Sequence, residues 1–370
     1  MTRITSGAAL LSSSLLASSI ALGLAACDPG SAPEPSDDAG VPVTGCIPEG
    51  GGAAPPAAPG GYYVNGNTIC TAGGQPHLFH GVARPSLEWD ANGNHLSAAD
   101  FAAMASWRAN VVRLALNQNF WLSDSPSFSS GYAARVDTTI QWAEAAGLDV
   151  ILDLHWSDRG DFSVKPGQQP MADSHSIEFW RQVAARYKDD GRVLFELYNE
   201  PHDVPLGVWL SGGTGGQADY PVAGMQQLHD AVRGAGANNL VIVGGLNWAF
   251  DLSHVANFAV KGQNILYASH PYNNAAERQP DRWNGSFGYL TKKVPVIITE
   301  FGDASGSCSP DWDKQVIAYA DSHQASWTAW AWWAGDCKFP ALLTDWQGGV
   351  SKEGEVVKAA LLGYDAPAAP

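Results

Sequence analysis

Residues 193–201 read VLFELYNEP, a short apolar run that ends abruptly in polar residues. The run Val193–Tyr198 is typical of a buried β-strand. An amide, a carboxylate and a proline follow it at once, as Asn199-Glu200-Pro201. The same arrangement, an apolar run followed by polar side chains, recurs along the chain and indicates the fold class.

Eight short apolar runs alternate with longer, Ala-rich, helix-like segments. The predicted strands are Leu78–Val82, Val111–Leu116, Val150–His155, Val193–Tyr198, Leu240–Val243, Ile265–Ser269, Val296–Thr299 and Trp327–Trp332. Helices are predicted at Ala98–Ala109, Tyr132–Ala146, Ser176–Asp189 and Pro221–Gly234. Eight strand–helix units over about 290 residues predict an α/β fold, the (β/α)8 or TIM barrel. A doubly wound open sheet is the alternative, but no Gly-x-Gly-x-x-Gly follows an early strand.

Composition restricts the classes of partner. The chain has 370 residues, with 21 Lys and Arg against 37 Asp and Glu, which gives a formal net charge of −16. Because such a chain repels phosphate backbones and anionic lipid headgroups, we expect no nucleic-acid partner. Hydrophobic residues make up 45% and charged residues 16%, which predicts a folded chain with a sizeable core.

The N-terminus reads as an export signal. Residues 1–26 carry one early positive charge, Arg3, and then an uncharged Ala-, Leu- and Ser-rich stretch. This signal ends in Leu24-Ala25-Ala26-Cys27, which resembles a bacterial lipobox with Cys27 as the lipidated residue. We expect a lipoprotein at the bacterial cell surface or outer membrane, with the membrane contacted only through the anchor. An ordinary cleavage site beside a chance cysteine, followed by secretion, is the alternative.

Residues 27–61 are rich in Pro, Gly and Ala and predict a tether. A single domain follows over residues 62–365. Four cysteines besides Cys27 remain, and an even number in an exported chain predicts two disulfides. Three pairings are possible, of which we favour the sequence neighbours, Cys46 with Cys70 and Cys308 with Cys337.

In such a barrel, the polar residues at the carboxyl ends of the strands face one site. Those residues include two carboxylates on different strands, Glu200 and Glu300, with no metal-binding motif between them. Two such carboxylates are what cleavage of a glycosidic bond requires. The other candidates at strand ends are Arg113, His155, Asn199, His270, Tyr272 and Trp330.

On these residues the chain resembles glycoside hydrolase family 5, over about residues 75 to 360. Asn199-Glu200-Pro201 after the fourth strand and Glu300-Phe301-Gly302 after the seventh match its two carboxylate motifs. The resemblance implies a retaining double displacement by a single catalytic domain. A metal-dependent barrel hydrolase is a further alternative, but the His-x-His that such barrels usually carry on their first strand is absent, so we expect no metal and no cofactor. Glu200 is then the general acid and base, for which we expect a raised pKa. Glu300 is the nucleophile and has to stay ionised.

The resemblance also implies supporting roles. Arg113 holds Glu300 as the anion, and Tyr272 donates a hydrogen bond to it. Asn199 binds the sugar 2-hydroxyl. His155 and His270 orient hydroxyls and the acid, and Trp330 forms the floor under the reacting ring. The structural alternatives are a buried ion pair for Arg113, core histidines for His155 and His270, and barrel packing for Trp330.

The chain has 15 Trp, an excess that suggests a sugar-binding surface. Several indoles follow predicted strand ends: Trp89, Trp121, Trp156, Trp209, Trp248, Trp283 and Trp333. We expect about half of these to contact substrate, and we assign Trp156, Trp248 and Trp333 to binding.

These residues predict a monomeric, endo-acting enzyme that cleaves a polysaccharide, first of all β-1,4-glucan. A β-mannan or another β-glycan is the rival substrate, because the motifs do not distinguish the orientation of one hydroxyl. A glycan-binding lipoprotein without activity is the alternative from another class, and the presence of both carboxylates speaks against it.

Overall fold

The computed structural model describes residues 45–47, 52–307, 309–337 and 339–364. The predicted signal peptide (1–26), Cys27 and most of the predicted tether lie outside these residues. Strands are found at β1 (Tyr62–Asn65), β2 (Thr68–Thr71), β3 (Pro76–His77), β4 (His80–Arg84), β5 (Val111–Asn117), β6 (Asp149–Trp156), β7 (Val193–Glu196), β8 (Gly213–Gly215), β9 (Ala218–Val222), β10 (Val241–Gly244), β11 (Ile265–Ala268), β12 (Val296–Ile298) and β13 (Ser326–Ala329).

Helices surround these strands and connect them. They are α1 (Ala98–Ser106), α2 (Gln118–Trp121), α3 (Tyr132–Ala145), α4 (Ser174–Tyr187), α5 (Leu206–Ser211), α6 (Met225–Gly234), α7 (Pro280–Ser286), α8 (Asp311–Ser322) and α9 (Lys352–Gly363). Within the described residues, no helix is long and apolar enough to cross a membrane.

The strands β4, β5, β6, β7, β10, β11, β12 and β13 pair in parallel and close into a barrel. The predicted (β/α)8 barrel is therefore confirmed. The last strand is shorter than the predicted Trp327–Trp332. It ends at Ala329 because the N–H groups of Trp330 and Ala331 leave the ladder and donate to the carbonyls of Phe301 and Pro340.

Side chains alternate between the two faces of a strand, so every second residue enters the barrel. The lower interior is apolar and includes Val111, Ile151 and Leu194. Two residues further along the same strands, Arg113, Asp153 and Glu196 occupy the next layer, and all three are fully buried. The interior thus changes from apolar to charged toward the carboxyl ends of the strands. A second, larger core lies between the barrel and its helices.

The predicted strand pair around Tyr62–Cys70 is present as β1 and β2. Ile69 of β2 packs against the apolar interior layer together with Tyr62, so the hairpin covers the amino-terminal end of the barrel. Cys46 and Cys70 form a disulfide bond with a Cα–Cα distance of 5.6 Å. Cys308 lies outside the described residues, so its pairing with Cys337 stays a prediction.

The last residues of the predicted tether contact the barrel. The carbonyl of Pro59 accepts a hydrogen bond from the N–H of Gly191, and the carbonyl of Pro56 accepts one from Asn264 Nδ2. Residues 52–61 contain neither helix nor strand, and these contacts hold part of the segment against the amino-terminal side of the barrel.

Candidate active site

Arg113 lies at the centre of the polar layer. Its guanidinium is fully buried and lies 2.6 Å from Oε1 of Glu300 and 2.6 Å from Oε2 of Glu196. A third nitrogen donates to Oδ1 of Asn199 at 2.7 Å and lies 3.0 Å from Oδ2 of Asp153. One cation therefore binds three carboxylates from three strands or strand ends. A guanidinium suits this position because its five N–H donors diverge in one plane.

Glu200 follows β7 and lies beside His270, which follows β11. His270 Nδ1 is 2.9 Å from Oε1 of Glu200, and His270 Nε2 is 2.8 Å from Oγ1 of Thr299. The Thr299 hydroxyl donates its own hydrogen to Oε1 of Glu196 at 2.8 Å. Its oxygen consequently accepts from Nε2–H of His270, while Nδ1 faces a carboxylate. When Glu200 is ionised, Nδ1 carries a hydrogen as well, and His270 is then an imidazolium.

Glu300 follows β12 and is held from two sides. Besides Arg113, the hydroxyl of Tyr272 donates to its Oε2 at 2.8 Å. A carboxylate oxygen of Glu300, one of Glu200 and a nitrogen of His270 all lie within 4.8 Å of one another. The two carboxylates that the sequence singled out therefore face each other across one site.

His155, at the end of β6, completes the ring of polar groups. Its Nδ1 lies 2.6 Å from Oδ2 of Asp153, and its Nε2 lies 3.5 Å from Nδ2 of Asn199. The imidazole stacks against the indole of Trp330, with ring centroids 5.6 Å apart and planes 7° apart. These contacts fix the orientation of both rings.

A cleft of about 370 Å³ opens above these groups. The predicted site residues that line it are His155, Asn199, Glu200, Trp248, Tyr272, Glu300 and Trp330. Arg113 and His270 lie beneath its surface, fully buried. The remaining binding candidates, Trp156 and Trp333, do not line this cleft.

A family model described as Cellulase (glycosyl hydrolase family 5) matches residues 70–336. The chain belongs to this family. An endoglucanase from Clostridium saccharobutylicum is 27% identical over 277 residues, which is 72% of this chain and 56% of that protein. Endoglucanase E-5 from Thermobifida fusca is 26% identical over 319 residues, or 83% of this chain and 63% of that protein. The chain thus spans between about half and two thirds of the length of these curated relatives.

A solved structure supports the same fold. The crystal structure of a β-glucanase from Saccharophagus degradans superposes with a TM-score of 0.67 at 23% sequence identity. The match covers 84% of this chain and 97% of the other. The resemblance to glycoside hydrolase family 5 that the strand-end motifs indicated is confirmed.

Protonation in this family 5 site differs in one respect from the expectation. Burial alone lowers the pKa of His270, but the negative charges of Glu300, Glu196 and Glu200 outweigh it and raise that pKa to about 9. For Glu200, burial favours the protonated form, yet the hydrogen bond and charge of His270 prevail and lower its pKa. We expected a raised pKa for Glu200. The positive charge of His270 instead favours the ionised form of Glu200 and lowers its pKa.

Several tryptophans serve the core rather than the cleft. Trp121, Trp209 and Trp283 are buried, and each indole N–H donates within the protein, to Gln182, to the carbonyl of Gly244 and to the carbonyl of Arg278. Trp333 packs edge-on against Trp89 and Trp346, at centroid distances of 5.3 and 5.1 Å. Trp248 stacks on His202 with centroids 3.6 Å apart and stays half-buried in the cleft wall.

Sequence reasoning assigned no role to several residues of the site, among them Glu196, Gln168 and Arg278. Glu196 could have been recognised from the sequence, because it is a charged residue within an apolar strand. Its side chain points into the barrel, where it contacts Arg113. Gln168 and Arg278 line the cleft from loops that follow β6 and β11, and no periodicity identifies loop residues.

A second cluster, Asp158, Asp173 and His175, also brings together groups that bind metals. Its carboxylates already accept N–H donors, among them the side chains of Gln118 and Asn119. Asp173 further caps α4 by accepting from the backbone N–H groups of residues 175 and 176. This network anchors the loop between β6 and α4.

Proposed function

We propose that the protein is an endo-acting, retaining glycoside hydrolase that cleaves β-1,4-glucan. The observation that carries the proposal is the pair Glu200 and Glu300, with carboxylate oxygens within 4.8 Å of each other. Carboxyl groups about 5 to 5.5 Å apart are typical of retaining enzymes, whereas inverting enzymes need about 6.5 to 9.5 Å to admit a water. The short spacing favours direct attack by one carboxylate.

The surroundings suggest which carboxylate attacks. Glu300 accepts from the guanidinium of Arg113, which always carries its positive charge, and from the hydroxyl of Tyr272, and these stabilise the anion that attacks the anomeric carbon. The bond between that carbon and the glycosidic oxygen breaks as Glu200 gives the oxygen a proton. Water then attacks the glycosyl ester, and Glu200 takes a proton from it, which restores both carboxyl groups.

The side chain of Asn199 suits the sugar 2-hydroxyl. Its Oδ1 accepts from Arg113 and its amide nitrogen lies 3.5 Å from Nε2 of His155, so one of the two amide hydrogens is available to a sugar hydroxyl in the cleft. An N–H donor fixed there strengthens its hydrogen bond as charge develops at the neighbouring anomeric carbon.

The substrate class rests on the relatives. The curated relatives named above are endoglucanases, and the Saccharophagus degradans β-glucanase has a crystal structure in complex with cellotetraose. Trp330 and Trp248 add flat apolar surfaces to the cleft, which suit the C–H faces of an equatorial β-linked glucan. A β-mannan is the second candidate, because a mannosyl unit differs from a glucosyl unit only in the orientation of one hydroxyl.

The first test compares reducing-sugar release from carboxymethylcellulose, lichenan, β-mannan and xylan. We expect the greatest release from the β-1,4-glucan, a falling viscosity that indicates internal cleavage, and a β-anomer as the first product by NMR. Glu300→Gln and Glu200→Gln should abolish release, while Glu178→Gln, on the exposed face of α4, should retain it. A wild type that releases sugar from none of the four polymers excludes the proposal.

The roles of the two carboxylates are separated by azide rescue. With an activated aryl cellobioside, Glu200→Ala should regain activity in azide and give the β-glycosyl azide, because the glycosyl ester at Glu300 is intact. Glu300→Ala should give the α-azide instead. The reverse pattern would exchange the assigned roles.

We further propose that the protein is a monomer, exported and anchored through a lipid on Cys27. The proposal is supported by Leu24-Ala25-Ala26-Cys27 at the end of the apolar leader. Radiolabelled palmitate should label the wild type expressed in a bacterial host and fail to label Cys27→Ala, which should be recovered unlabelled. Equal labelling of both proteins would exclude lipidation at this cysteine.

A further inference from the structure

The loop between β6 and α4 is built to place one side chain beside Glu200. Ser157 and Gly167 exchange two backbone hydrogen bonds, at 2.9 and 3.0 Å, which fold the loop back onto the end of β6. On the other side of Gln168, the carbonyl of Gln169 accepts from the hydroxyl of Tyr198 at 2.8 Å. Tyr198 lies two residues before Glu200. The residues on both sides of Gln168 are therefore hydrogen-bonded to residues that follow β6 and β7, the strands that precede the site.

The amide of Gln168 donates from Nε2 to Oε2 of Glu200. The other oxygen of Glu200, Oε1, faces His270. Both carboxylate oxygens thus meet N–H donors, which is the arrangement that favours an anion. A general acid, however, has to carry a proton on one of these oxygens when the glycosidic bond breaks. Because His270 is fully buried, it stays in place, and Oε2 is the oxygen available to the substrate.

Gln168 itself is exposed and lines the cleft. Its contact with Oε2 occupies the position that the glycosidic oxygen has to reach, since proton transfer needs a heavy-atom distance of about 2.6 to 3.2 Å. We propose that Gln168 is a positioning residue that holds Glu200 as the carboxylate in the free enzyme and is displaced by the sugar of the leaving group. The inference rests on the proposed glycosidase function.

Displacement removes one N–H donor from Glu200 at the moment of binding, and the sugar excludes water from the same oxygen. Both changes favour the protonated form of Glu200. Substrate binding therefore promotes protonation of the residue that donates the proton to the leaving group. Other charged and titratable groups also surround Glu200. They are Asp153 and His155 on β6, His202 on its own loop, His270, Tyr272 and Arg278 after β11, and Glu300 after β12.

Replacement of Gln168 by Met keeps the length of the side chain and removes the donor. We expect the pKa of Glu200 in the free enzyme to rise by about one unit, the effect of one hydrogen bond to a charged group. The pH at which kcat/KM is greatest lies midway between the two carboxyl pKa values of the free enzyme. This pH optimum should therefore rise by about half a pH unit. The pH optimum of kcat should not change. The pH dependence of kcat reports pKa values in the enzyme–substrate complex, in which Gln168 has already been displaced from Glu200.

The matched control is Gln169→Met, in the same loop. The Gln169 side chain accepts from Arg159 Nε at 2.6 Å and is not among the residues that line the cleft. Hydrolysis of cellotetraose is a suitable assay for both variants, because its sugar leaving group has to be protonated by the general acid. We expect the kcat/KM optimum of Gln169→Met to match that of the wild type.

A second readout needs no turnover. In protein labelled with carboxyl-¹³C glutamate, the Glu200 resonance, identified by its loss in Glu200→Gln, can be titrated directly in wild type and Gln168→Met. A Glu200 pKa that is unchanged or lower in Gln168→Met overturns the inference, as does an equal rise in Gln169→Met. If the wild type releases sugar from none of the four polymers, the proposed function fails, and the titration still decides whether Gln168 holds the carboxylate.

Discussion

Arg113 Nη1 lies 2.6 Å from Oε1 of Glu300, and the guanidinium that makes this contact is itself fully buried. The same group also binds Glu196 and Asp153, which are both buried. These carboxylates raise the pKa of Arg113 well above its usual value, against the opposing effect of burial. The cation that contacts the proposed nucleophile is thus also the positive charge that compensates the buried carboxylates.

Replacement of Arg113 by Lys tests this double role. A lysine keeps the charge but cannot make divergent contacts to three carboxylates. We expect kcat/KM on a soluble glucan to fall at least about 100-fold, as for the loss of an electrostatic contact in the transition state. The free energy of unfolding should fall by about 3 kcal/mol, because a buried pair is broken.

The control is Arg186→Lys, whose ion pair with Asp137 is exposed. Steady-state kinetics and urea unfolding should show a change below about 1 kcal/mol and unaltered kcat/KM for this variant. Equal effects of the two substitutions on activity and stability would contradict the double role of Arg113.

Tyr272→Phe removes the second donor to Glu300 and leaves the ring in place. Because the hydroxyl lies 2.8 Å from Oε2, we expect kcat to fall by roughly 10- to 100-fold with little change in the melting temperature. Tyr289→Phe is a matched control, since that hydroxyl donates to the carbonyl of Leu252 at 2.8 Å. Stopped assays and calorimetry on both variants decide whether the loss is specific to the hydroxyl that contacts Glu300.

The sequence predicted the charged centre of the site because barrel geometry leaves little freedom there. Parallel strands place their carboxyl ends on one rim, so Glu200, Glu300, His270 and Tyr272 had to meet once the strands were recognised. The same alternation predicts that His155 faces inward and its neighbour Trp156 does not. Trp156 does not line the cleft, and its assignment to substrate binding stays a prediction.

The rim beyond the strands could not be predicted in this way. Gln168 reaches Glu200 only because the loop folds back at Ser157 and Gly167, a contact without a periodic signature. The lowered pKa of Glu200 was also beyond the sequence, since it depends on the distance to His270. Loop packing and the electrostatic interaction between two groups depend on distances in the folded structure. The position of a residue at a strand end can be predicted from the order of residues along the chain.

Trp248 should contribute binding rather than chemistry. Its indole stacks on His202 with planes 5° apart and lines the cleft. We expect Trp248→Ala to raise KM for cellotetraose about tenfold, or 1.4 kcal/mol, with a smaller change in kcat. Trp248→Phe retains an aromatic face and should lose less. A fall confined to kcat in both variants would contradict the role.

Asp313 and Glu353 predict how stability depends on pH. Asp313 is fully buried in the first turn of α8, and among the described residues neither of its oxygens has a hydrogen-bond partner. Burial raises its pKa to about 7, and burial together with the charges of Asp313 and Asp303 raises that of Glu353 to about 8. Unfolded, both carboxyls titrate near pH 4.

The folded protein therefore binds these protons more tightly than the unfolded chain. Their contribution is fully favourable below about pH 4 and is lost as the pH rises to about 8. For Asp313 alone the loss is roughly 4 kcal/mol, at about 1.4 kcal/mol per pKa unit. Titration of His270, with its pKa of about 9, lowers stability further above pH 6.5.

Asp313→Asn keeps the shape of the side chain and cannot ionise. We expect its free energy of unfolding, measured by urea denaturation between pH 5 and 9, to decline less steeply than that of the wild type and to exceed it at pH 9. Asp311→Asn, in the same helical turn but exposed, should follow the wild-type slope over this range. If Asp313→Asn shows the full wild-type decline, the buried carboxyl is not what makes the fold sensitive to alkali.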